Sequence, residues 1–464
     1  MADILSQITS PFVARGWNAR FWLRLAIVLG SPFVIVAIAY KATLDQMMLI
    51  AFAPVGLVGA IIMWRWPSVV PVLLTFVGLF TPSIGPQDVN MPMALIAAAW
   101  GVWLVERIVN KKEIRFVASR TMLPIVGLVV TSCVAFVAGQ LNWFNFAANA
   151  SLDAQLAGFS MFVLAAGAFL LVANQVKSLR WLELMVWVFL VIGAIYIIGF
   201  SFTPLRPVIR SIFRSGSVGG VFWAWLPPLL ISQALVNKKL HPGLRLLLGV
   251  LALMSLYAGY SLNYGWKSGW VPAFAAVGAT VFLVSWRMGV LCALLAIFPA
   301  ARLVPELLSS DAYSISTRLD ALLILAEIIR ISPILGFGFG NYYWYTPLFR
   351  IRGWTVSFNS HNNYVDIAAQ TGLLGLGFFL WFFGEAFYLG LRLRNAVPEG
   401  FARAYVYGSL GGLIGTLVAA TLGDWVLPFV YNIGMGGFRT GVLVWLFIGG
   451  LVALEQMYMT RGSA

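Results

Sequence analysis

Ser314–Tyr345 reads SISTRLDALLILAEIIRISPILGFGFGNYYWY, and Phe358–Phe379 reads FNSHNNYVDIAAQTGLLGLGFF. The opening part has the spacing of an amphipathic helix, too short and too charged to cross a bilayer. It meets Pro333 and three alternate glycines, Gly336, Gly338 and Gly340, and then an aromatic cluster. Arg350 and Arg352 come next, and His361 stands where the chain returns to a long, mainly apolar run. One polar segment therefore sits among membrane-length runs. Which face of a bilayer it occupies decides the reading of the rest.

Outward from this segment the chain is apolar in both directions. Of 464 residues, 61% are hydrophobic and 10% charged, with a mean hydropathy of +0.90. Runs of about 18 to 20 apolar residues recur, each long enough to span ~30 Å of hydrocarbon as a helix. Fourteen segments are expected: 24–40, 46–64, 67–81, 92–108, 121–138, 156–174, 182–202, 218–236, 244–261, 268–286, 288–304, 363–391, 405–423 and 435–456. The run at 363–391 is overlong, so it is tilted or begins as an interfacial turn. The expected fold is all-α, a polytopic membrane protein of about 12–14 transmembrane helices with one large extracytoplasmic loop that contains an interfacial helix. Met1–Arg20 has no apolar core of the signal-peptide kind, so the first span is expected to act as the insertion signal. Cys133 and Cys292 both fall within apolar spans and read as small buried side chains. No zinc-type Cys/His spacing or phosphate-loop motif occurs, so no metal and no cofactor are expected.

The net charge of +14 has two readings, nucleic acid or a positive-inside bias. With the N-terminus inside, 19 of the 30 basic residues fall in inside loops and every inside loop has some. That excludes nucleic acid as the partner, favours membrane lipids, and puts both termini in the cytoplasm and residues 305–362 outside.

The 11 outside cations run against this bias. They are Lys41, Arg206, Arg210, Arg214, Lys267, Arg302, Arg318, Arg330, Arg350, Arg352 and Arg439. Nine lie between Arg206 and Arg352, near only four acids, Glu306, Asp311, Asp320 and Glu327. Individually each could be a rim charge; as a group they read as an anion site. Arg206, Arg210 and Arg214 repeat every four residues and would share one helix face. After them, Ser215–Gly220 is either a flexible connector or a helix start suited to phosphate. Lys267 lies between Trp266 and Trp270 at a hairpin mouth, as a snorkelling cation or a ligand-facing one. A helix capped by Ser316 or Thr317 and running to about Arg330 would place Arg318 in its first turn, against the helix dipole. Leu319, Leu322, Leu323, Ala326 and Ile329 would form its apolar side. Asn341–Tyr345 suits an interfacial aromatic belt or stacking on sugar rings.

Only two histidines occur, and His241 lies in the cytoplasmic NKKLHPG loop. His361 is thus the one imidazole outside, with an ordinary pKa of ~6.5 suited to moving a proton near neutrality.

Arg318, then ISPILGFGFGNYYWY (Ile331–Tyr345), His361–Asn362–Asn363–Tyr364 and Gln370–Thr371–Gly372–Leu373–Leu374–Gly375–Leu376 together resemble the signature region of the O-antigen ligase and O-antigen polymerase superfamily. The likeness is close over about 70 residues and looser over 214–286. It implies metal-independent glycan transfer from a polyprenyl-diphosphate-linked glycan to a glycan or lipid acceptor, on the outer face of the inner membrane. Polysaccharide or lipopolysaccharide assembly in the cell envelope is the implied setting, with undecaprenyl diphosphate as the implied carrier. By position, His361 takes the catalytic role, activating the acceptor hydroxyl. Arg318, Arg214, Arg210 and Lys267 take the diphosphate, and Asn362, Tyr364, Arg350 and Arg352 contact acceptor or glycan. Relatives often have Ser-Arg-Gly at the hairpin mouth, where this chain has Gly265–Gly269 as GWKSG; lysine keeps the charge without the bidentate fork. Gln370 stands where a carboxylate is common.

Four regions are expected: a scaffold over 1–200, hairpins with outer basic residues over 201–304, the signature region over 305–391 and a membrane hairpin over 392–464. The rival is a solute transporter on the same fold, for example of inorganic carbon. It would need mid-span acids and inverted repeats. Glu183 and Asp366 lie near span ends, Glu385 sits well inside 363–391, and no repeat is visible.

Overall fold

The computed structural model describes residues 58–80, 89–213, 219–310 and 312–459. The chain divides after Arg65. Of the first unit only helical residues 58–65 are described. The expected span at 24–40 and most of 46–64 lie outside the described residues.

The second unit, from Trp66 onward, is helical among its described residues, with one isolated bridge between Ile351 and Trp354. It opens with α1 (Val69–Phe80), α2 (Met91–Val105), α3 (Met122–Ala138), α4 (Leu152–Gln175) and α5 (Leu179–Ser201). Then come α6 (Arg206–Ile212), α7 (Gly220–Val236), α8 (Pro242–Leu262), α9 (Lys267–Val284) and α10 (Trp286–Ser310). The last five are α11 (Ala312–Ile331), α12 (Asn341–Tyr345), α13 (Asn363–Ala396), α14 (Phe401–Leu422) and α15 (Gly434–Tyr458). Among the described residues eight helices are long and apolar enough to cross a membrane, and four shorter apolar ones accompany them. Each of the twelve expected segments from 67–81 onward coincides with one of these helices.

Where the apolar residues face identifies the solvent. Leu123, Val126, Val130, Val134 and Val137 form an exposed stripe along α3, and Leu246, Leu247, Val250 and Leu253 do so on α8. A water-soluble protein does not leave such stripes open; a bilayer covers them. The chain is a multi-pass membrane protein. Cys133 and Cys292 are free, and both face outward rather than inward as expected. A cysteine is apolar enough for the lipid-facing side of a span.

With lipid outside, helix association depends on close backbone approach and small residues. A β-carbon at Gly411 would lie 2.5 Å from the Ala276 carbonyl, and one at Gly415 would lie 2.9 Å from that of Pro272. These glycines let α14 lie against α9, and α7 completes the group. Helix α15, buried along its apolar length, packs on α4.

Two expectations about the outer segment need correction. Helix α11 begins at Ala312 rather than at a Ser316 or Thr317 cap, so Arg318 sits a turn further in and the dipole argument does not apply to it. The face turned to the protein is Ala321, Leu325 and Ile328, whereas Leu319 and Leu323 point outward. The overlong run proves to be a broken helix: inside α13, Gly372 has φ +70° and ψ 179°.

Candidate active site

The break at Gly372 and the glycine turn form one interlock. Breaking the helix frees carbonyls from the i→i+4 ladder, and the turn supplies their partners. Phe337 N donates to Ala369 O and Gly338 N to Gln370 O, both at 2.9 Å, while Leu373 N donates to Pro333 O at 2.7 Å. Gly336, Gly338 and Gly340 have φ of +69°, +81° and +75°, which glycine alone adopts freely. The Gln370 side chain completes the join, donating to Asp366 O at 3.0 Å and accepting from Gly340 N at 3.3 Å. Its role is therefore to hold the turn. Asn341 anchors the other side, donating to Gly139 O and Phe337 O and accepting from Ala150 N.

This frame places a loop and a histidine. Arg352 and Gly353, at φ +52° and +83°, are the two central residues of the tight turn closed by the Ile351–Trp354 bridge. Arg352 Nε reaches Asp320 Oδ2 at 2.7 Å and ties the loop to α11. His361 comes after it in the chain, with φ +48°. Asn362 then caps α13, its Oδ1 accepting from Tyr364 N at 3.0 Å and Val365 N at 3.4 Å.

The third wall comes from residues 423–433, between α14 and α15. Asn363 pins this loop, donating to Leu427 O at 2.7 Å and accepting from Val426 N at 2.9 Å. Asn432 Nδ2 lies 3.4 Å from His361 Nδ1 and donates to Asp424 Oδ1 at 2.5 Å. Asp424 is fully buried, and its Oδ2 accepts from Phe429 N at 2.7 Å. Burial raises the Asp424 pKa, and the hydrogen bonds from Phe429 and Asn432 work against that rise.

Between these walls lies a cavity of about 510 Å³, lined by Arg318, Tyr343, Phe358, His361, Tyr431 and Asn432 with Thr317, Ser357 and Asn359. Tyr343 and Tyr431 stack with ring centres 4.8 Å apart. The His361 pKa lies below its ordinary value, first because the ring is partly desolvated and then because the Arg318 cation disfavours a second positive charge. Its imidazole is therefore neutral at pH 7, able to accept a proton. Tyr342, behind the cavity, has its phenol pushed well above the ordinary range by burial and by Asp366, so it stays a donor.

The other expected site residues are more scattered. Arg350 is exposed and does not line the cavity, although the adjacent Ile351 does, and Arg352 is occupied by Asp320. Asn362 and Tyr364, expected at the glycan, bond within the protein: the Asn362 amide also donates to Thr421 O, and the Tyr364 hydroxyl donates to Leu417 O. Arg210 and Arg206 do lie on one short helix, but both guanidinium groups sit over the Phe200 ring. Arg214 and residues 215–218 lie outside the described residues. Gly219 and Gly220 pack against Trp425, where a β-carbon would fall within 2.9 Å. Lys267 begins α9 and does not line the cavity, although the neighbouring Trp266 meets Trp425 edge-on at 5.5 Å, next to Asp424. Sequence reasoning missed Asp424, Tyr431 and Asn432. Their one signal was an acid in a connection, GDWVLPFVYN, with no other charge.

Residues 243–380 match the family model described as O-antigen ligase. Over that region, less than a third of the chain, the sequence is similar to the O-antigen ligase superfamily. The match takes in Arg318, the glycine turn and His361, and stops before the 423–433 loop. No curated protein matches the chain.

Proposed function

We propose that the protein is a membrane glycosyltransferase of the O-antigen ligase or polymerase type. It moves a glycan from a polyprenyl-diphosphate carrier to an acceptor hydroxyl, without a metal ion. Arg318 holds the diphosphate, with Arg350 beside the cavity as a second cation, and His361 activates the hydroxyl. One observation carries this reading: Arg318 and His361, far apart in sequence, line the same cavity. Arg318 is exposed at the cavity, so the bound carrier must itself displace water for this cation to stabilise a departing diphosphate far better than one in water. A neutral imidazole contributes about 10²–10⁴-fold as a base. The aromatic walls offer flat faces to sugar rings, and the apolar exterior suits a carrier with a lipid tail. By the positive-inside bias the cavity opens on the extracytoplasmic face of the inner membrane with both termini in the cytoplasm.

The transporter reading loses its main residue. Glu385 accepts from Arg120 Nη2 at 3.0 Å and from Trp381 Nε1 at 3.2 Å, the bonding of a structural acid.

The test uses purified protein with a polyprenyl-diphosphate-linked glycan. Wild type is expected to release polyprenyl diphosphate with glycan transfer, unaffected by EDTA, and His361→Ala and Arg318→Ala to lose it. Longer glycans on the carrier mean a polymerase; a requirement for a separate acceptor means a ligase. Turnover in both variants equal to wild type overturns the proposal.

A further inference from the structure

His361 is held in a backbone bend that an ordinary side chain resists, with φ +48°. The neighbouring Ser360 clips across that bend. Its Oγ accepts from Asn362 N at 2.9 Å, which ties it to the backbone just beyond the histidine; Asn362 O also lies 2.8 Å away, but the hydroxyl has one proton and the nearer acceptor is Asp366. The same hydroxyl lies 2.6 Å from Asp366 Oδ1, which also accepts the Tyr342 hydroxyl at 2.5 Å. Tyr342 in turn receives Ser360 N at 3.4 Å. Asp366 thus joins the first turn of α13, the loop carrying His361, and α12.

The placement of this acid is unusual for a residue with a purely structural task. Asp366 is 1% exposed, and its Oδ2 has no hydrogen-bond partner among the described residues. Leaving one carboxyl oxygen buried and unpaired is a desolvation cost set against the two hydroxyl bonds to the other. A helix dipole favours an acid in the first turn, but that does not require the side chain to turn inward to Ser360.

We propose that Asp366 is a positioning residue: acting through Ser360 and Tyr342, it fixes the left-handed bend at His361 and so aims the imidazole into the cavity. The proposal rests on the transfer reading for its consequence, not for its geometry. Misplacing a reacting group by about 1 Å costs on the order of a hundredfold in rate. Asp366→Asn is therefore expected to lower kcat by about ten- to a hundredfold and leave KM for the carrier-linked glycan nearly unchanged. Ser360→Ala is expected to do the same, and Ser360→Thr, which keeps the hydroxyl, to recover most of the rate.

Two measurements separate positioning from plain stability. In a His361→Gly background, residual turnover, with or without added imidazole, no longer depends on an aimed side chain. Asp366→Asn should then have no further effect. An equal loss in both backgrounds overturns the proposal. If His361→Gly itself leaves turnover intact, the fault lies with the proposed function instead. The second measurement needs no substrate. With His241→Gln, His361 is the chain's remaining imidazole, and its resonances in ¹⁵N-histidine-labelled protein report its surroundings. Asp366→Asn is expected to shift or split them; unchanged resonances in the folded variant overturn the proposal.

Discussion

A histidine serves as a base only while it is neutral, and at His361 the surroundings keep it so. Because partial burial and the Arg318 cation both disfavour the imidazolium, its pKa lies below 6.5. Removing the cation removes the repulsion, so Arg318→Gln must raise it. An NMR titration in a His241→Gln background is expected to show the His361 midpoint moving up toward its ordinary value in this variant. The acid limb of kcat/KM should lie below pH 6.5 in wild type and rise with that midpoint. A midpoint unmoved by Arg318→Gln would mean that the two side chains do not share an electrostatic environment. His361 and Arg318 were both legible in the sequence because each stood out for its expected place: the one imidazole in the segment expected outside, and a cation against the positive-inside bias. Asp424 and Asn432 were not. A short connection between two spans looks the same whether it merely turns the chain or walls a cavity.

At the level of elements, the broken helix and the glycine turn stand or fall together. Gly372 combines a positive φ with an extended ψ, and a β-carbon there would lie 2.0 Å from the Ile334 carbonyl oxygen. Gly372→Ala is expected to destabilise the protein by at least about 2 kcal/mol, read as a lower thermal midpoint in detergent, and to abolish transfer. Gly384→Ala, on the same helix with nothing within 4 Å of its β-carbon, is the matched control. It should be neutral or slightly stabilising, since alanine is the better helix former. The glycines themselves were evident from the sequence, as was the excess length of the run. That one helix had to break so that the other segment could bond to it was not evident, because both halves had to be seen together.

For the molecule as a whole, the charge bias makes a claim about sidedness. Arg350 and Lys238 are both exposed, the first next in sequence to the cavity-lining Ile351 and the second in a connection on the expected cytoplasmic side. With Cys133 and Cys292 replaced by serine, Arg350→Cys is expected to react with a membrane-impermeant maleimide in intact cells. Lys238→Cys is expected to react only after permeabilisation. The reverse pattern would turn the molecule over and place the cavity in the cytoplasm.

Hydropathy by itself determined that this chain is a helical membrane protein, and where the twelve described apolar helices lie, because about 18 apolar residues in a row have few other stable fates. The sequence also placed Arg318, the glycine turn and His361 within one stretch that is similar to the O-antigen ligase family. Tertiary structure alone decided that residues 423–433 close the cavity, that Asn362 and Tyr364 bond inward, and that Asp366 lies behind the histidine. Those outcomes depend on which polar groups meet once the spans have packed. Burial makes a hydrogen-bond partner obligatory without saying in advance which one it will be.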